Sequence, residues 1–445
     1  MKEILHLALR NLTRQKRRSA MLAIAIGFGY FVVTAIDGLA TGALSNLENQ
    51  ITQLIGGTVF IQGVERAPAT DEDKKGKLIN IARDSGYIRT LIDTNKIKYN
   101  YASQYTSSSG QMLFNGKRII SALYGRNFET EKHLVASFVV LSGDLKNLSQ
   151  PDALVLSKKT ADSLKMQVGD TVLYTTHTIN GQQTVGEFAL VAIIKDAGLL
   201  SSMAAYARQD TLDKLLDMPE GAYDTFAVVL ADKNKQNAVA NRIEQLIRAD
   251  GKAVTNRTEA IRKNPKNPAA ALTRQLKDSE WTGTKYCVAS LNDAVPQLGE
   301  VLTVVHIVTI VILLVILLIV MVGISNTYRM ILYERIREIG TMRALGMTGR
   351  DTGRVFTTEA LILSLGGAVA GFILGIIGME IFGLFNFNSD SMSFFLNNGH
   401  ATFVLSPVTI IGQYVLMIVL TILAVHGTAN KASTISPAVA LRTVK

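Results

Sequence analysis

Residues 304–324 read VVHIVTIVILLVILLIVMVGI, with no Asp, Glu, Lys or Arg among them. A run of roughly 20 apolar residues is what an α-helix needs to cross the hydrocarbon of a bilayer. In water the same segment would expose apolar side chains on every face. The rest of the chain is therefore expected to be organised around a membrane. Three further segments read the same way, and together they predict spans over residues 19–43, 301–328, 355–384 and 407–429.

The chain has 445 residues, 48% of them hydrophobic, and a formal charge of +10. Where that charge sits decides its meaning. Residues 1–18 carry +5, and residues 44–300, 329–354 and 430–445 carry +3 each, while Asp37, Glu359, Glu380 and Asp390 offset four. The basic excess thus lies mainly beside the apolar segments, and residues 385–406 contain no Lys or Arg. That asymmetry follows the positive-inside rule and predicts that both termini and the 329–354 loop are cytoplasmic. Residues 44–300 and the 385–406 loop are then extracytoplasmic. A nucleic-acid-binding face would gather basic residues on one folded surface, and nothing in this distribution requires one. A basic start before an apolar run also describes a secretory signal. The 19–43 run is long for that purpose, so a retained anchor is expected. In residues 1–18, Ile4, Leu5, Ala8, Leu9 and Leu12 recur at helical spacing between Lys2, Arg10, Arg14 and Lys16. This predicts an amphipathic elbow helix in the cytoplasmic headgroup layer, the alternative being a solvated basic tail. Residues 430–445 form a cytoplasmic tail.

The exported segment predicts a mixed α/β domain able to bury its own core. Strands are expected at 58–62, 153–157, 171–176, 188–194 and 225–231, and helices at 158–166, 211–216 and 235–248. Residues 264–269, NPKNPA, read as an internal linker. A lone cysteine, Cys287, leaves no internal disulfide framework.

No catalytic constellation emerges. The six histidines show no metal-ligand spacing, no nucleophile turn is present, and no phosphate-binding loop occurs. No catalytic residue, metal site or cofactor is expected on this chain. Ionisable residues inside spans are functional candidates by default. Asp37, His306 and Glu380 fall near the outer interface, where they either line a cavity open to the outer leaflet or mark the water boundary. Gly367, Gly371 and Gly375 recur at four-residue spacing and predict close helix packing, within a bundle or across a dimer.

Between the second and third spans lies ERIREIGTMRALGM, residues 334–347. Leu332, Ile336 and Ile339 share one helical face, and Glu334, Arg337 and Glu338 point elsewhere. Gly346 is a plausible helix stop. A short helix held between two spans suits either the groove of a cytoplasmic partner or an anionic lipid surface.

Residues 325–347, SNTYRMILYERIREIGTMRALGM, resemble the signature loop of the FtsX/MacB/LolC superfamily of ABC transporter permeases. Residues 8–27 resemble that family's amino-terminal elbow and first span, residues 154–174 a stretch of its exported domain, and residues 435–442, ISPAVALR, its carboxy-terminal ending. The resemblance implies an α-helical membrane protein of four transmembrane helices, with the mixed α/β extracytoplasmic domain of two subdomains inserted between spans one and two. It also implies a second permease copy or a related permease, a dimer of separate ABC ATPases that hold ATP and Mg2+, contact with membrane lipids, and a bacterial inner-membrane location. Glu334, Arg335, Arg337, Glu338, Arg343 and Leu345 inherit the ATPase-coupling role. With no phosphate-binding loop in these residues, the resemblance is closest to the lipoprotein-releasing branch, with lipoproteins as cargo. The alternatives are MacB-like mechanotransmission export of peptides, antibiotics or other amphiphiles, and FtsX-like activation of an exported hydrolase.

Overall fold

A computed structural model describes residues 2–14, 16–67, 76–84, 86–196, 204–387, 396–397 and 399–434. The ISPAVALR stretch lies outside the described residues. The chain forms two compact units, one of residues 1–46 with 302–445 and one of residues 47–301.

The chain begins with α1 (Lys2–Arg14) and α2 (Lys16–Ile55). The span expected to end at residue 43 is part of this longer helix. Residues 44–55 offer no Pro and no Gly to stop it until Gly56, where φ reaches +84° and the Gly56 N–H closes on the Thr52 carbonyl at 2.8 Å.

Among its described residues the second unit carries eleven strands: β1 (Val59–Arg66), β2 (Leu78–Asn80), β3 (Tyr101–Phe114), β4 (Lys117–Arg126), β5 (Val140–Gly143), β6 (Ala153–Ser157), β7 (Thr171–His177), β8 (Gln183–Ile194), β9 (Ala204–Arg208), β10 (Thr225–Val229) and β11 (Lys285–Ser290). Its helices are α3 (Tyr87–Thr94), α4 (Lys132–Ser137), α5 (Lys158–Leu164), α6 (Gln209–Leu215), α7 (Gln236–Ala249), α8 (Arg257–Lys263), α9 (Pro268–Asp278) and α10 (Leu291–Ala294). The sheet runs β11-β1-β10-β3-β4-β9-β6-β8-β5, and β7 pairs with both β8 and β3. That second pairing closes β3, β4, β9, β6, β8 and β7 into a ring. Met112, Leu123, Leu154, Leu156, Val172, Tyr174, Phe188 and Leu190 fill its interior, as the side chains of a small barrel must. Closure depends on Gly110: a Cβ there would stand 2.4 Å from the Thr175 carbonyl oxygen.

β3 serves both halves of the unit, pairing through Tyr101–Tyr105 with β10 and through Thr106–Phe114 with β4. Beyond the ring, β1, β10 and β11 pack against α3 and α7 around Ile61, Ile92, Phe226, Ile243 and Val288. The expected linker at 264–269 is instead the turn of a helical hairpin. Asn264 ends α8, and the Asn267 side chain caps α9 by accepting from the Ala270 N–H at 3.0 Å, with Pro268 in the first turn.

Two buried arginines tie this unit together. Arg257 bonds Asp293 (2.5 Å), Asn241 (2.6 Å), the side chain and carbonyl of Asn237 (2.5 and 3.3 Å) and Ser290 (3.1 Å). Arg126 holds Glu131 at 3.5 Å, stacks over Tyr105 at 3.9 Å and reaches the Ile55 carbonyl at 3.4 Å.

The first unit resumes within α11 (Pro296–Glu334), then α12 (Ile336–Ala344), α13 (Gly349–Gly383), a small hairpin of β12 (Leu396–Asn397) and β13 (His400–Ala401), and α14 (Pro407–Thr434). Among the described residues, four helical stretches are long and apolar enough to cross a membrane: Ser19–Gln53, Gly299–Glu334, Gly349–Gly383 and Pro407–Gly427. Their shared core gathers Leu22, Ile26, Tyr30, Leu317, Ile324, Phe356, Leu363 and Met417. Val304, Val311, Val315, Ile319 and Val322 of α11 stay exposed, the arrangement expected of a helix facing hydrocarbon rather than water.

Two acids, Asp224 just before β10 and Asp213 on α6, make the stability of the second unit pH-dependent. Burial pushes Asp224 up to about 6, against hydrogen bonds at 2.7 Å from the Ser107 N–H and hydroxyl, and burial pushes Asp213 up to about 6 as well. A carboxyl raised in the folded state contributes stability that is complete below its ordinary value and lost as pH rises through about 6. Trp281, the single tryptophan, lies in this unit and reports its unfolding. We expect the fluorescence-monitored melting temperature of the full chain in detergent to fall between about pH 4 and 6, and Asp224→Asn to flatten that slope. An unchanged slope in the variant would assign the dependence elsewhere.

Candidate functional site

The 334–347 segment joins α11 to α13 through a break of one residue. Glu334 is the last residue of α11. Arg335 leaves the helical region at φ −96° and ψ 10°, and α12 begins at Ile336 rather than at Glu334 as the pattern predicts. Hydrogen bonds cross the break, from Arg335 N–H to the Ile331 carbonyl and from Ile339 N–H to the Arg335 carbonyl, both 3.0 Å. The chain therefore bends without freeing its backbone. At the other end Gly346 takes φ +100°, and the N–H groups of Gly346 and Met347 close on the carbonyls of Arg343 and Met342 at 3.1 Å each. This is the glycine stop the sequence marks. Thr348 then caps α13 through the Asp351 N–H, so the third apolar helix starts at Gly349, six residues before the expected position.

Leu332 and Ile339 are buried in the core of the unit, and Ile336 is half-buried. Glu334 and Arg337 are exposed, and Glu338 and Arg343 are half-buried. Leu345 is 89% exposed, an apolar side chain at the very end of α12. Arg335, grouped with these residues by the sequence, is different. Its side chain is 7% exposed and turned inward, where Nη1 donates to both carboxylate oxygens of Glu359 at 3.2 and 3.1 Å and Nε donates to Glu338 at 3.1 Å. The guanidinium also lies 5.6 Å from the Phe356 ring. Glu359, 5% exposed on α13, accepts a third bond at 2.7 Å from the Asn11 amide of α1. Arg335 thus holds the segment in place, and Asn11 and Phe356 belong to the same site although no motif named them. The signals available were Asn11 on the inward side of α1 and Glu359 as an acid within an apolar run.

The three glycines divide two to one. A Cβ on Gly367 would stand 2.7 Å from the Ala23 carbonyl oxygen, and one on Gly371 would stand 2.1 Å from that of Gly27. Gly375 has only neighbours at ordinary contact, among them the side chains of Phe31 at 3.4 Å and Met379 at 3.9 Å. The close approach is between α13 and α2 within the bundle. Of the three ionisable residues near the other end, Asp37 is half-buried with His306 and Gln413 as electrostatic neighbours. His306 and Glu380 are exposed, and the described contacts do not bring Glu380 to Asp37.

Residues 19–246, just over half of the chain, match the MacB-like periplasmic core domain. The chain belongs to that family. Residues 310–437 match the FtsX-like permease C-terminal domain, so the 334–347 segment lies inside the permease region of an FtsX/MacB-type permease. An uncharacterized ABC transporter permease of Methanocaldococcus jannaschii is 21% identical to this permease over 386 residues, 85% of this chain and 84% of the relative. Short stretches are similar to the pyoverdine export ATP-binding/permease proteins of Pseudomonas entomophila (41% over 56 residues, 13% of this chain and 9% of the relative) and Pseudomonas syringae pv. tomato (44% over 55 residues, 12% and 8%). Among solved structures, the periplasmic region of MacB from Actinobacillus actinomycetemcomitans is 15% identical with a TM-score of 0.29, over 46% of this chain and 88% of that one. The extracellular domain of the ABC-type transporter YknZ from Gram-positive bacteria is 15% identical with a TM-score of 0.28, over 43% and 94%.

The glycine geometry yields a sharp contrast. We expect Gly371→Leu to force α2 and α13 apart and to abolish recovery of monodisperse permease from detergent, whereas Gly375→Ala is recovered like the wild type. Equal recovery of both variants by size-exclusion chromatography would remove the backbone contact from the account.

Proposed function

We propose that this FtsX/MacB-type permease is the non-catalytic membrane subunit of an ABC transporter, and that residues 334–347 receive the movement of a separate ATPase dimer. The observation that carries this reading is Leu345. It is an almost fully exposed apolar residue at the end of α12, a helix that also exposes Arg337 and whose start is fixed by the buried Arg335–Glu359 ion pair. A segment rigid on one side and open on the other is what a partner must have if it is to push. The names of the relatives support the reading, since they include an ABC transporter permease and ATP-binding/permease proteins. In this account four spans cross a bacterial inner membrane with both termini cytoplasmic. Two permease copies, identical or related, work together, ATP and Mg2+ bind the ATPases, and the exported domain does the work.

For cargo, we infer lipoproteins extracted from the outer leaflet, on the resemblance to the lipoprotein-releasing branch. Export of an amphiphile is the second reading, favoured by the short stretches similar to pyoverdine exporters. Activation of an exported hydrolase would use the same coupling without cargo. Acylated lipoproteins, an adaptor or a hydrolase co-purifying with the permease separates the three.

Coupling itself is tested at the exposed face. Leu345→Ser and Arg337→Glu should insert normally and weaken capture of the ATPase by about tenfold each, the effect of removing a side chain worth roughly 1–2 kcal/mol at an interface. Wild-type ATPase affinity and stimulation in both would return the segment to a lipid-facing role.

A further inference from the structure

Glu359 is a buried carboxylate that joins three elements of the first unit. It receives Arg335 from the break before α12, Asn11 from α1, and stands on α13 beside Phe356, over whose ring the same arginine lies. A buried ion pair is rarely kept for stability, because desolvating both charges costs about what their attraction returns. An apolar pair of similar volume would hold the bundle equally well. What the charged pair provides is direction: the two Nη1 bonds fix the Arg335 side chain, and the Arg335 backbone is the bend that orients α12. Asn11 then ties the orientation of α1, with its exposed Leu5, Leu9, Arg10 and Arg14, to the same oxygen that holds the bend.

We propose that Glu359 is the positioning residue of the 334–347 segment, and that Asn11 makes the amphipathic helix α1 part of the coupling device through that shared carboxylate. This rests on the coupling reading above. In this arrangement a push on α12 is resisted by Glu359 and reaches α13 and α1 together, instead of being absorbed by rotation at Arg335. Neither Glu359 nor Asn11 needs to touch the ATPase.

The test uses the full-length permease with its co-purifying ATPase in nanodiscs, and reads ATP turnover against ATP concentration. Asn11→Leu removes only the tie to α1. The pair Arg335→Met with Glu359→Leu removes both charges and leaves none buried alone, so it folds where Glu359→Ala is at risk. Both should assemble with the ATPase and keep the KM for ATP, with permease-stimulated kcat reduced about threefold in the first and about tenfold in the second. Since all act through one carboxylate, adding Asn11→Leu to the pair should reduce kcat no further. Unchanged kcat in the pair overturns the proposal, as does a triple variant whose losses multiply, which would make the two sites independent supports. Leu345→Ser is measured alongside: if it alone uncouples, the reading stands and the positioning role falls, and if it couples normally, the reading itself falls.

Discussion

Helices in lipid gain nothing from leaving it, since the solvent is as apolar as their side chains, so a membrane bundle is held by how closely its backbones approach. Here that approach is the contact of Gly367 and Gly371 on α13 with Ala23 and Gly27 on α2. Other features of the permease unit are placed by it. Glu359, Leu363, Gly367 and Gly371 follow one another at four-residue spacing down one buried face of α13. The face that seats the glycines on α2 is therefore the face that carries the carboxylate toward Asn11 and Arg335, about three turns away. The bend at Arg335 and the exposure of Leu345 follow from that seat. Moving α13 by the width of one methyl group would move the carboxylate that receives the arginine.

The second unit solves a different problem by different means. In water its core forms readily, and what must be specified is the pairing of strands far apart in sequence. β3 does this by pairing with β10 at one end and with β4 and β7 at the other, so one strand belongs to both halves. The hairpin to β4 turns at Asn115-Gly116, both at positive φ, the pair that a tight two-residue connection favours. Gly110 then lets β7 come close enough to close the ring.

Much of this was legible in the residues and some was not, for physical reasons. The strands β1, β6 and β10 announce themselves because their residues are mostly buried, and β7 and the apolar second half of β8 do so by buried positions set among exposed ones. β3, YASQYTSSSGQMLF, does not, because its inward positions include Ser108, whose hydroxyl bonds that of Thr176 at 2.6 Å. A polar pair satisfied inside a ring leaves no hydrophobic alternation to read. The Asn-Gly turn after it was the available signal. In the permease unit, apolar run length located all four long helices, and Gly346 marked the end of α12. The start of α12 was misplaced because nothing about an arginine ends a helix. Arg335 turns inward only because Glu359, 24 residues on, is there to receive it. Spacing also could not distinguish Gly375 from Gly367 and Gly371, since only the neighbouring helix makes them differ.

Three buried arginines mark the range of what such a residue can do in this chain. Arg257 has every guanidinium N–H matched by an oxygen, drawn from Asn237, Asn241, Ser290 and Asp293. Because Ser290 and Asp293 also cap each other, the turn that leaves β11 is held as one piece. Arg126 is equally buried but sits loosely. Its contacts to Glu131, Ser103 and Ile55 are 3.4–3.5 Å long, and its Nε and one oxygen of Glu131 have no partner among the described residues. A small cavity of about 190 Å³ lies beside them. Full satisfaction makes a charge rigid, and incomplete satisfaction leaves room for it to shift. Arg335 stands between these cases. Its bonds, at 3.1–3.2 Å, are shorter than those of Arg126, but the carboxylate receiving them is shared with another helix, so its position is fixed only while α1 and α13 keep theirs.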